Sequence, residues 1–475
     1  MDYKQKYLKY KQKYLRLLRD QKGGQPFLID ILARLAFSYL FERNQRLLQL
    51  FYTGRQPVMM QPFRHFTLNH KYRLKLLGIS LSIVLAPRLV QSDRRNNRLE
   101  LQLVKRIMSR THKLPEISPP VTAAPLTGHS NSVTSMAFHL TAPLLATGST
   151  DNTVKLWQLS SDNSSATCVA TLDRRNGGHN HNVTSMAFHP TAPLLATGSE
   201  DSTVKLWRLV TTPDGLISSA TCVATLNSID SHSDGVKSVA FHPKTSLLAT
   251  GSTDRTVKLW HFVTTPDNTS ATCVATLDQS NGGHSGTVYS VALHPPAPLL
   301  ATGSSDNTVK LWRLVANPDG LISYATCVAT LDQSNGGHSN FVSSVAFHPT
   351  APLLATGSTD RTVKLWRLYS DRTVKLWRLY SDNSSATCVA TLEGHQYSIS
   401  SVAFHPTAPL LVTGSYDNTV RLWQLSSDNS SATCVATLDQ RNGGHSNFVS
   451  CVAFYPTAPL LATSSWDRTV KLWKL

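Results

Sequence analysis

The 475-residue sequence lacks the residue patterns of several common sites. It contains no phosphate-binding loop of the Walker type, no HExxH motif and no cluster of paired carboxylates. None of the seven cysteines forms a CxxC pair, which argues against a zinc site. The apolar run at 76–86 has 11 residues, whereas a membrane span needs about 20. We therefore expect no catalytic, metal or cofactor site, and we do not expect an enzyme.

Acidic residues are scarce in the first quarter of the chain. Residues 1–116 contain 24 Lys and Arg against 7 Asp and Glu, a balance of +17, whereas residues 117–475 contain 22 of each. This asymmetry divides the chain into a basic extension and a neutral body. Basic extensions are typical of proteins that contact nucleic acid, an anionic membrane surface or an acidic protein. A charged face that only improves solubility is the alternative.

The cysteines indicate a reducing compartment. Cys451 stands alone, and the other six occupy the same place in a recurring ATCVATL phrase. One cysteine per repeat is the pattern of a small buried apolar residue rather than of a disulfide. Because the basic N-terminus has no secretory signal, we expect a protein that is not secreted. A cytoplasmic location is predicted, and a nuclear one stays open. The six repeated cysteines are Cys168, Cys222, Cys273, Cys327, Cys388 and Cys434.

A phrase of the form LLATGSxDxTVKLWxL recurs seven times, with its tryptophans 50 to 57 residues apart. A histidine, usually after glycine, precedes each phrase. Each unit divides into four β-rich runs separated by turn residues; in the second repeat they are 182–188, 194–199, 202–209 and 221–226. One four-stranded sheet cannot bury both faces, but seven stacked radially can. The repeats therefore predict a ring of seven blades over residues 117–475.

The Gly-His pair and the Asp six residues before each Trp resemble the WD40 repeat family. The resemblance covers residues 117–475, although Gln, Arg, His or Lys follows the tryptophan in place of the family's Asp. It implies an all-β, seven-bladed WD40 propeller, here preceded by a basic, mainly α-helical extension at 1–116. It also implies a non-enzymatic scaffold or adaptor whose propeller rim binds partner proteins.

The seventh repeat ends after its third strand, so one strand is missing from the last blade. The segment TAAPLTGH at 122–129 aligns without a gap with CVATLEGH at 388–395. We predict that residues of about 118–126 supply the missing outer strand, which would close the ring and remove an open sheet edge. Pro125 is acceptable there because the outermost strand has no further neighbour.

By the same resemblance, each blade contains a buried hydrogen-bonded tetrad of His, Ser or Thr, Asp and Trp. In the second blade the hydroxyl is that of either Thr197 or Ser199. These residues are two apart, so their side chains lie on the same face of the strand, and the alternation of side chains cannot choose between them. A Ser-His-Asp hydrolase triad uses similar residues, but a catalytic group would not normally be copied seven times. The predicted His, Asp and Trp members are His129, Asp151, Trp157; His179, Asp201, Trp207; His232, Asp254, Trp260; His284, Asp306, Trp312; His338, Asp360, Trp366; His395, Asp417, Trp423; and His445, Asp467, Trp473.

Differences between the repeats indicate where a partner binds. Aromatic residues precede the turn aspartate in the last two repeats only, and others lie near the histidine loops of the last three. We expect an aromatic arc on one rim, since exposed aromatic residues are typical of binding hot spots. The alternative is that some of these rings tuck into the seams between blades. The candidate partner-binding residues are Phe341, Tyr397, Tyr416, Phe448, Trp466 and Glu200.

The N-terminal residues have their own repeat, YKQKYLK followed by YKQKYLR. Their tyrosines recur at steps of four and three, which predicts an amphipathic helix or short coiled coil at 3–18 that could self-associate. The segment KYLKYKQKYL also resembles N-terminal leaders of proteins from amoeba-infecting giant viruses, which implies a host-cytoplasmic viral protein. We expect residues 1–116 to form a helical domain, a membrane-surface segment or a nucleic-acid contact.

An 11-residue phrase is written twice in the fifth repeat, at 360–370 and again at 371–381. Asp360 keeps the intact GSTD turn, so we expect the first copy to fill the blade. The second copy would then loop out from the opposite rim. The alternative is that the second copy replaces TCVATL at 387–392 as the outer strand.

Overall fold

The computed structural model describes residues 125–212, 216–227, 229–265, 269–295, 297–318, 321–368 and 386–475. The predicted helical extension at 1–116, the predicted helix at 3–18 and the second copy of the doubled phrase lie outside these residues. The chain divides into two units, Met1–Glu116 and Ile117–Leu475. The fold below is that of the second unit.

The described residues form 27 strands in seven sheets. The first four blades contain β1 Val133–Phe138, β2 Leu144–Ser149, β3 Val154–Leu159, β4 Ala166–Leu172; β5 Val183–Phe188, β6 Leu194–Ser199, β7 Val204–Thr211, β8 Ile217–Leu226; β9 Val236–Phe241, β10 Leu247–Ser252, β11 Val257–Thr264, β12 Thr269–Leu277; β13 Val288–Leu293, β14 Leu299–Ser304, β15 Val309–Ala316 and β16 Ile322–Leu331. The last three contain β17 Val342–Phe347, β18 Leu353–Ser358, β19 Val363–Leu368, β20 Ala386–Leu392; β21 Ile399–Phe404, β22 Leu410–Ser415, β23 Val420–Leu425, β24 Ala432–Leu438; β25 Val449–Phe454, β26 Leu460–Ser465 and β27 Val470–Lys474.

Each blade is an antiparallel sheet whose strands lie side by side in chain order. The first strands of neighbouring blades contact one another around the ring, so they are the innermost. We call the rim where the first strands begin the upper rim, and the opposite one the lower rim. The turns between second and third strands therefore lie on the upper rim, and the connections from third to fourth strands lie on the lower rim. The prediction of an all-β propeller with seven blades is confirmed.

Burial explains the sequence pattern of each strand. The LLATGS strands, such as β6, are buried at every residue because both faces pack against neighbouring blades. The third strands are buried at their first, third, fourth and sixth residues in most blades, with Leu206 and Trp207 of β7 both at 0% exposure. Trp207 packs against residues of the preceding blade, including Leu144 and Leu156. The hydrophobic core is thus a set of layers between blades rather than one central mass.

Glycine is required where two blades approach most closely. A Cβ atom on Gly198 would lie 2.7 Å from a methyl carbon of Val236 in the next blade. Real Cβ atoms do not come so near to another carbon, so the second strands keep glycine at this point. The seventh blade differs, since Ser464 occupies the position and its hydroxyl lies 3.0 Å from that of Ser450.

A ring of histidines packs the lower rim at the end of the first strands. In the second blade, His189 Nδ1 accepts the backbone N–H of Ala192 at 2.7 Å. Its ring meets Phe241 of the next blade edge-on, with centroids 5.0 Å apart. Burial lowers the pKa of His189 below its usual value. The neutral imidazole therefore serves as a packing group and a backbone acceptor.

Hydrogen bonds connect the last blade to residues from the start of the ring at both its outer and its inner strand. Leu126 forms two backbone hydrogen bonds with Val470, at 2.9 and 3.2 Å. Leu126 therefore takes the place that Leu172 holds beside Val154 in the first blade. Residues 118–124 of the predicted closing strand lie outside the described part of the chain. At the inner edge, the Cys451 thiol donates to the Met136 carbonyl at 3.8 Å.

The fifth blade uses the first copy of the doubled phrase. β19 (Val363–Leu368) pairs with β18 on one side and with β20 (Ala386–Leu392) on the other. The alternative in which the second copy replaces TCVATL as the outer strand is therefore wrong, because Thr387 pairs with Arg367 and Cys388 with Trp366. The register matches that of the first blade, where Cys168 pairs with Trp157.

We expect the two copies to respond differently to the same substitution. Trp366 is 0% exposed and donates to Thr356, so Trp366→Ala should cost about 3–5 kcal/mol through the lost packing. Trp377→Ala should cost much less because the blade is complete without it. Chemical denaturation of both variants measures the difference. Equal losses would contradict this assignment.

Deletion of residues 371–381 is the companion experiment. It leaves six residues between Leu368 and Ala386, as between Leu159 and Ala166 in the first blade. The remaining connection reads YSDNSS, against SSDNSS in the first blade. Shortening the connection from 17 to six residues should save about 0.9 kcal/mol of loop-closure free energy. A cooperative melting transition should persist at an equal or slightly higher temperature.

Candidate functional site

The second blade shows how each tetrad is built. His179 enters from the loop before the first strand, and Trp207 projects from the third strand. His179 Nδ1 lies 2.9 Å from Asp201 Oδ2, and His179 Nε2 lies 2.8 Å from Thr197 Oγ1. The Trp207 indole N–H donates to the same hydroxyl at 2.9 Å. The tetrad therefore ties together the loop, the second strand, the turn and the third strand.

The hydroxyl in the tetrad belongs to Thr197 and not to Ser199. Ser199 instead accepts the backbone N–H of Asp201 at 3.0 Å and donates to the carbonyl of His181 at 3.0 Å. The two residues share a strand face, but Ser199 lies at the turn end of that face. Ser199 thus shapes the turn, and Thr197 joins the buried network.

All seven blades repeat this arrangement with little variation. The His Nδ1 to Asp distances are 2.8–2.9 Å. The Trp to Thr distances are 2.8–3.0 Å. The structure brings every predicted His, Asp and Trp into contact within its blade. The seven hydroxyl members are Thr147, Thr197, Thr250, Thr302, Thr356, Thr413 and Thr463.

Donors and acceptors in the tetrad match when the histidine is neutral. An indole N–H can only donate, so Thr197 Oγ1 accepts a hydrogen bond from Trp207. The Thr197 O–H in turn donates a hydrogen bond to His179 Nε2. The Nδ1–H of His179 then donates to Asp201. Every side-chain polar group of this tetrad has a partner, which is what a stable buried network requires.

The tetrad aspartate has no free acceptor for chemistry. Asp201 accepts hydrogen bonds from His179, from the backbone amide of Asn180 and from both the amide and the hydroxyl of Thr203. Burial alone would raise the pKa of the Asp201 carboxyl. The hydrogen bonds outweigh burial and hold the pKa well below its usual range. A carboxylate whose pKa is lowered and whose oxygens accept four hydrogen bonds is a structural group rather than a general base.

The upper rim carries the candidate partner-binding residues. In each blade the residue before the turn aspartate bonds through its N–H to the carbonyl of the residue before the first strand. Trp466 bonds in this way to Phe448, and Tyr416 to Ser398, both at 2.9 Å. Because the first strands are innermost, these bonds hold the two residues of each blade side by side at the inner edge of the upper rim, which we call the channel mouth.

Three of the predicted aromatic residues form one cluster across the sixth and seventh blades. The rings of Tyr416 and Phe448 stack with centroids 4.8 Å apart and an interplanar angle of 16°. Trp466 lies 5.2 Å from Phe448 and 6.0 Å from Tyr416. Tyr416 and Trp466 stay 37% and 42% exposed. We call Tyr416, Phe448 and Trp466 the aromatic cluster.

Two other members of the predicted arc stand apart. Phe341 is 43% exposed and Tyr397 is 61% exposed. Neither ring contacts another aromatic ring in the part of the chain that the structure describes. The rim therefore has a compact aromatic cluster and two isolated exposed rings, instead of a continuous arc.

Sequence reasoning missed Tyr289 in the fourth blade, which is 36% exposed. Burial raises the pKa of Tyr416, and the nearby phenol of Tyr289 raises it further. Tyr289 is the second residue of β13, a position that holds Thr or Ser in five blades. That exchange within the repeat is the signal that could have identified it.

Glu200 lies in a polar group on the other side of the mouth. Its carboxylate accepts a hydrogen bond from Lys237 Nζ at 2.8 Å and another from the Asn182 side-chain amide at 2.8 Å. His181 Nδ1 lies 3.1 Å from the same carboxylate. Burial alone would raise the pKa of Glu200, but Lys237 and the other partners lower it. Glu200 therefore carries a charge that is already paired.

Two kinds of site are absent from the described ranges. No group of three or more His, Cys, Asp or Glu there could hold a metal ion. In the same ranges no helix has the length and apolar character to cross a membrane.

Comparison with known proteins agrees with this architecture. The family described as "WD domain, G-beta repeat" matches residues 121–158, 166–208, 220–261, 271–313, 325–367, 386–424 and 432–474. The chain belongs to the WD40 repeat family. Proteins of this family typically bind other proteins and are typically not enzymes. Membership of this family supports a protein-interaction role in general terms.

Several WD40 relatives share part of the sequence. Pre-mRNA-processing factor 19 of Oryza sativa subsp. japonica is 28% identical over 192 residues, which is 40% of this chain and 30% of that protein. Striatin-4 of Mus musculus is 31% identical over 194 residues, or 39% and 23%. Nuclear distribution protein nudF of Aspergillus flavus is 34% identical over 141 residues, or 29% and 26%. The chain spans less than a third of each of these relatives.

The assignment of Thr197 to the tetrad predicts a specific loss of stability. Thr197→Val should leave the Trp207 indole N–H and His179 Nε2 without a partner, at a cost of about 2–4 kcal/mol. Thr197→Ser keeps the hydroxyl and should cost much less. The midpoint of guanidinium unfolding measures both variants. Similar midpoints for the two would show that the hydroxyl does not matter.

Proposed function

We propose that this WD40 protein is a non-enzymatic scaffold or adaptor that captures partner proteins on the upper rim of its propeller. The observation that supports this proposal is the aromatic cluster: three rings in mutual contact that remain accessible. Contact with each other limits the side-chain entropy that a partner must remove on binding. Partial exposure leaves apolar area for a partner to cover.

The composition of the rim also favours a protein partner. Trp and Tyr are the residues most enriched in the energetic centres of protein interfaces. The paired group of Glu200, Lys237 and His181 offers polar contacts on the far side of the mouth. An apolar centre bordered by polar groups is the usual composition of such an interface.

A second candidate function rests on the charge of residues 1–116. Their balance of +17 supports an anchored adaptor, whose extension holds an anionic membrane or nucleic acid while the propeller presents cargo. The heptad-like tyrosines at 3–18 support self-association in addition. Both proposals keep the propeller as the protein-binding part.

We expect Trp466→Ala and Tyr416→Ala to reduce capture of partner proteins by roughly tenfold or more, since each removes a ring of the cluster. The measurement is quantitative mass spectrometry of proteins retained by the full chain from cell extract. Tyr324→Ala is the matched control, because Tyr324 is 51% exposed but lies on the outer strand β16. Retention that is identical for all four proteins would refute the rim proposal.

Binding through the extension predicts a strong dependence on salt. The full chain should bind anionic vesicles or duplex DNA at 50 mM salt and lose most of that affinity by 200 mM, since counterion release is reversed. A variant with the lysines at 4, 6, 9, 11 and 13 replaced by Gln should bind more weakly. Absence of salt-sensitive binding to either probe would rule out the anchored adaptor.

A further inference from the structure

Three blades carry an arginine in an unfavourable backbone conformation on the upper rim. Arg255, Arg361 and Arg468 follow the turn aspartate with φ of 70°, 71° and 68°. Residues other than glycine rarely adopt this left-handed region, and Asn tolerates it better than long side chains do. The other four blades have short polar residues there, namely Asn152, Ser202, Asn307 and Asn418.

The three arginines are exposed, and their guanidinium groups have no partner among the described residues. Within the described ranges, none of the three lies within 4 Å of a carboxylate or donates a hydrogen bond from its side chain. Arginine on the lower rim behaves differently, since Arg367 donates to the Asp428 carbonyl at 2.8 Å. The upper-rim charges are therefore free to pair with a ligand.

Two of the three arginines lie in blades that contain or adjoin the aromatic cluster. Arg468 lies in the same turn as Trp466, two residues later. At the equivalent turn position of the first blade, the Asn152 amide donates to the Asn180 carbonyl of the second blade at 3.4 Å. A side chain from this position thus extends to the next blade, and Arg361 of the fifth blade is within reach of the sixth.

Few acidic groups offset these charges. Glu393 is the exposed carboxylate among the described upper-rim residues of the fifth to seventh blades. Asp332 and Asp439 there are half-buried and cap 3-10 turns through backbone hydrogen bonds. The tetrad aspartates are engaged by their histidines and threonines. Exposed guanidinium groups, among them those of Arg361 and Arg468, therefore outnumber the exposed carboxylate on this part of the rim.

We propose that the aromatic cluster, Arg361 and Arg468 together bind an acidic segment of a partner protein. One large apolar side chain of the segment packs on Trp466, and its carboxylates pair with the two guanidinium groups. Arginine suits this role because its planar donors match a carboxylate and stay charged at all relevant pH values. The same arginines repel a basic segment, so they also select the partner. This inference rests on the rim function proposed above and specifies the chemistry of the partner.

The third blade provides a matched control for Arg361 and Arg468. Arg255 has the same turn, the same φ and the same exposure, but it lies in the third blade, away from the cluster. Arg→Asn is the appropriate change at all three positions, because Asn already occupies this turn in the first, fourth and sixth blades. The variants should keep the wild-type melting temperature or exceed it.

The experiment selects random 12-residue peptides from a display library on the full chain and measures the enriched peptides by fluorescence anisotropy. We expect enriched peptides to carry net negative charge and at least one large apolar residue. Arg361→Asn and Arg468→Asn should each raise Kd by roughly two- to fivefold, and together by about tenfold. Arg255→Asn should leave Kd within about twofold, and Trp466→Ala should raise it by about thirtyfold or more.

The outcomes separate this inference from the proposed function. Enrichment of neutral or basic peptides, no enrichment at all, or equal effects of the three Arg→Asn variants would overturn the acidic-segment proposal. If partner capture from extract still depended on Trp466 in those cases, the rim function would stand without it. If neither capture nor peptide binding depended on Trp466, both would fail.

Discussion

The hydrogen-bonded chain from Trp through Thr and His to Asp is the interaction on which the rest of this propeller depends. It lies in each blade where four segments meet: the entering loop, the second strand, the turn and the third strand. In the second blade, Trp207 and His179 are 0% and 1% exposed, so neither polar ring could exchange its partner for water. Thr197 satisfies both rings with one hydroxyl. The network fixes the entering loop to the sheet, and the loop position fixes the upper rim.

That fixed framework leaves two side chains in each blade available for function, one on either side of the turn aspartate. The residue before the turn aspartate has its backbone held by the carbonyl opposite, as Trp466 is by Phe448. Its side chain plays no part in the tetrad, so Thr, Ser, Glu, Tyr and Trp all occur there. The residue after the aspartate is free in the same way, which allows Asn in some blades and Arg in others. Binding specificity can therefore change between blades without disturbing the core.

Comparison among the repeats explains what the sequence alone could predict. Seven copies of one phrase identify the blades and the His, Asp and Trp positions, because positions shared by all copies serve the common fold. The choice between Thr197 and Ser199 needed coordinates, since both lie on one strand face and differ only in distance from the turn. Tyr289 was missed because its neighbour Tyr416 is two blades away along the chain. Phe341 was placed on the correct rim, but position on a rim does not determine which rings touch.

The duplication in the fifth blade falls at the end of the strands that lies away from the tetrad. The extra residues fall between the third and fourth strands, whose connection lies on the lower rim. The tetrad lies at the other end of the same strands, and it is unchanged: His338 is 2.8 Å from Asp360, and Trp366 is 2.9 Å from Thr356. An insertion of equal length in the turn before Thr362 would separate the aspartate from the strand that it caps. Because the tetrads concentrate their constraints at the upper rim, length can vary at the lower rim while the binding surface keeps its shape.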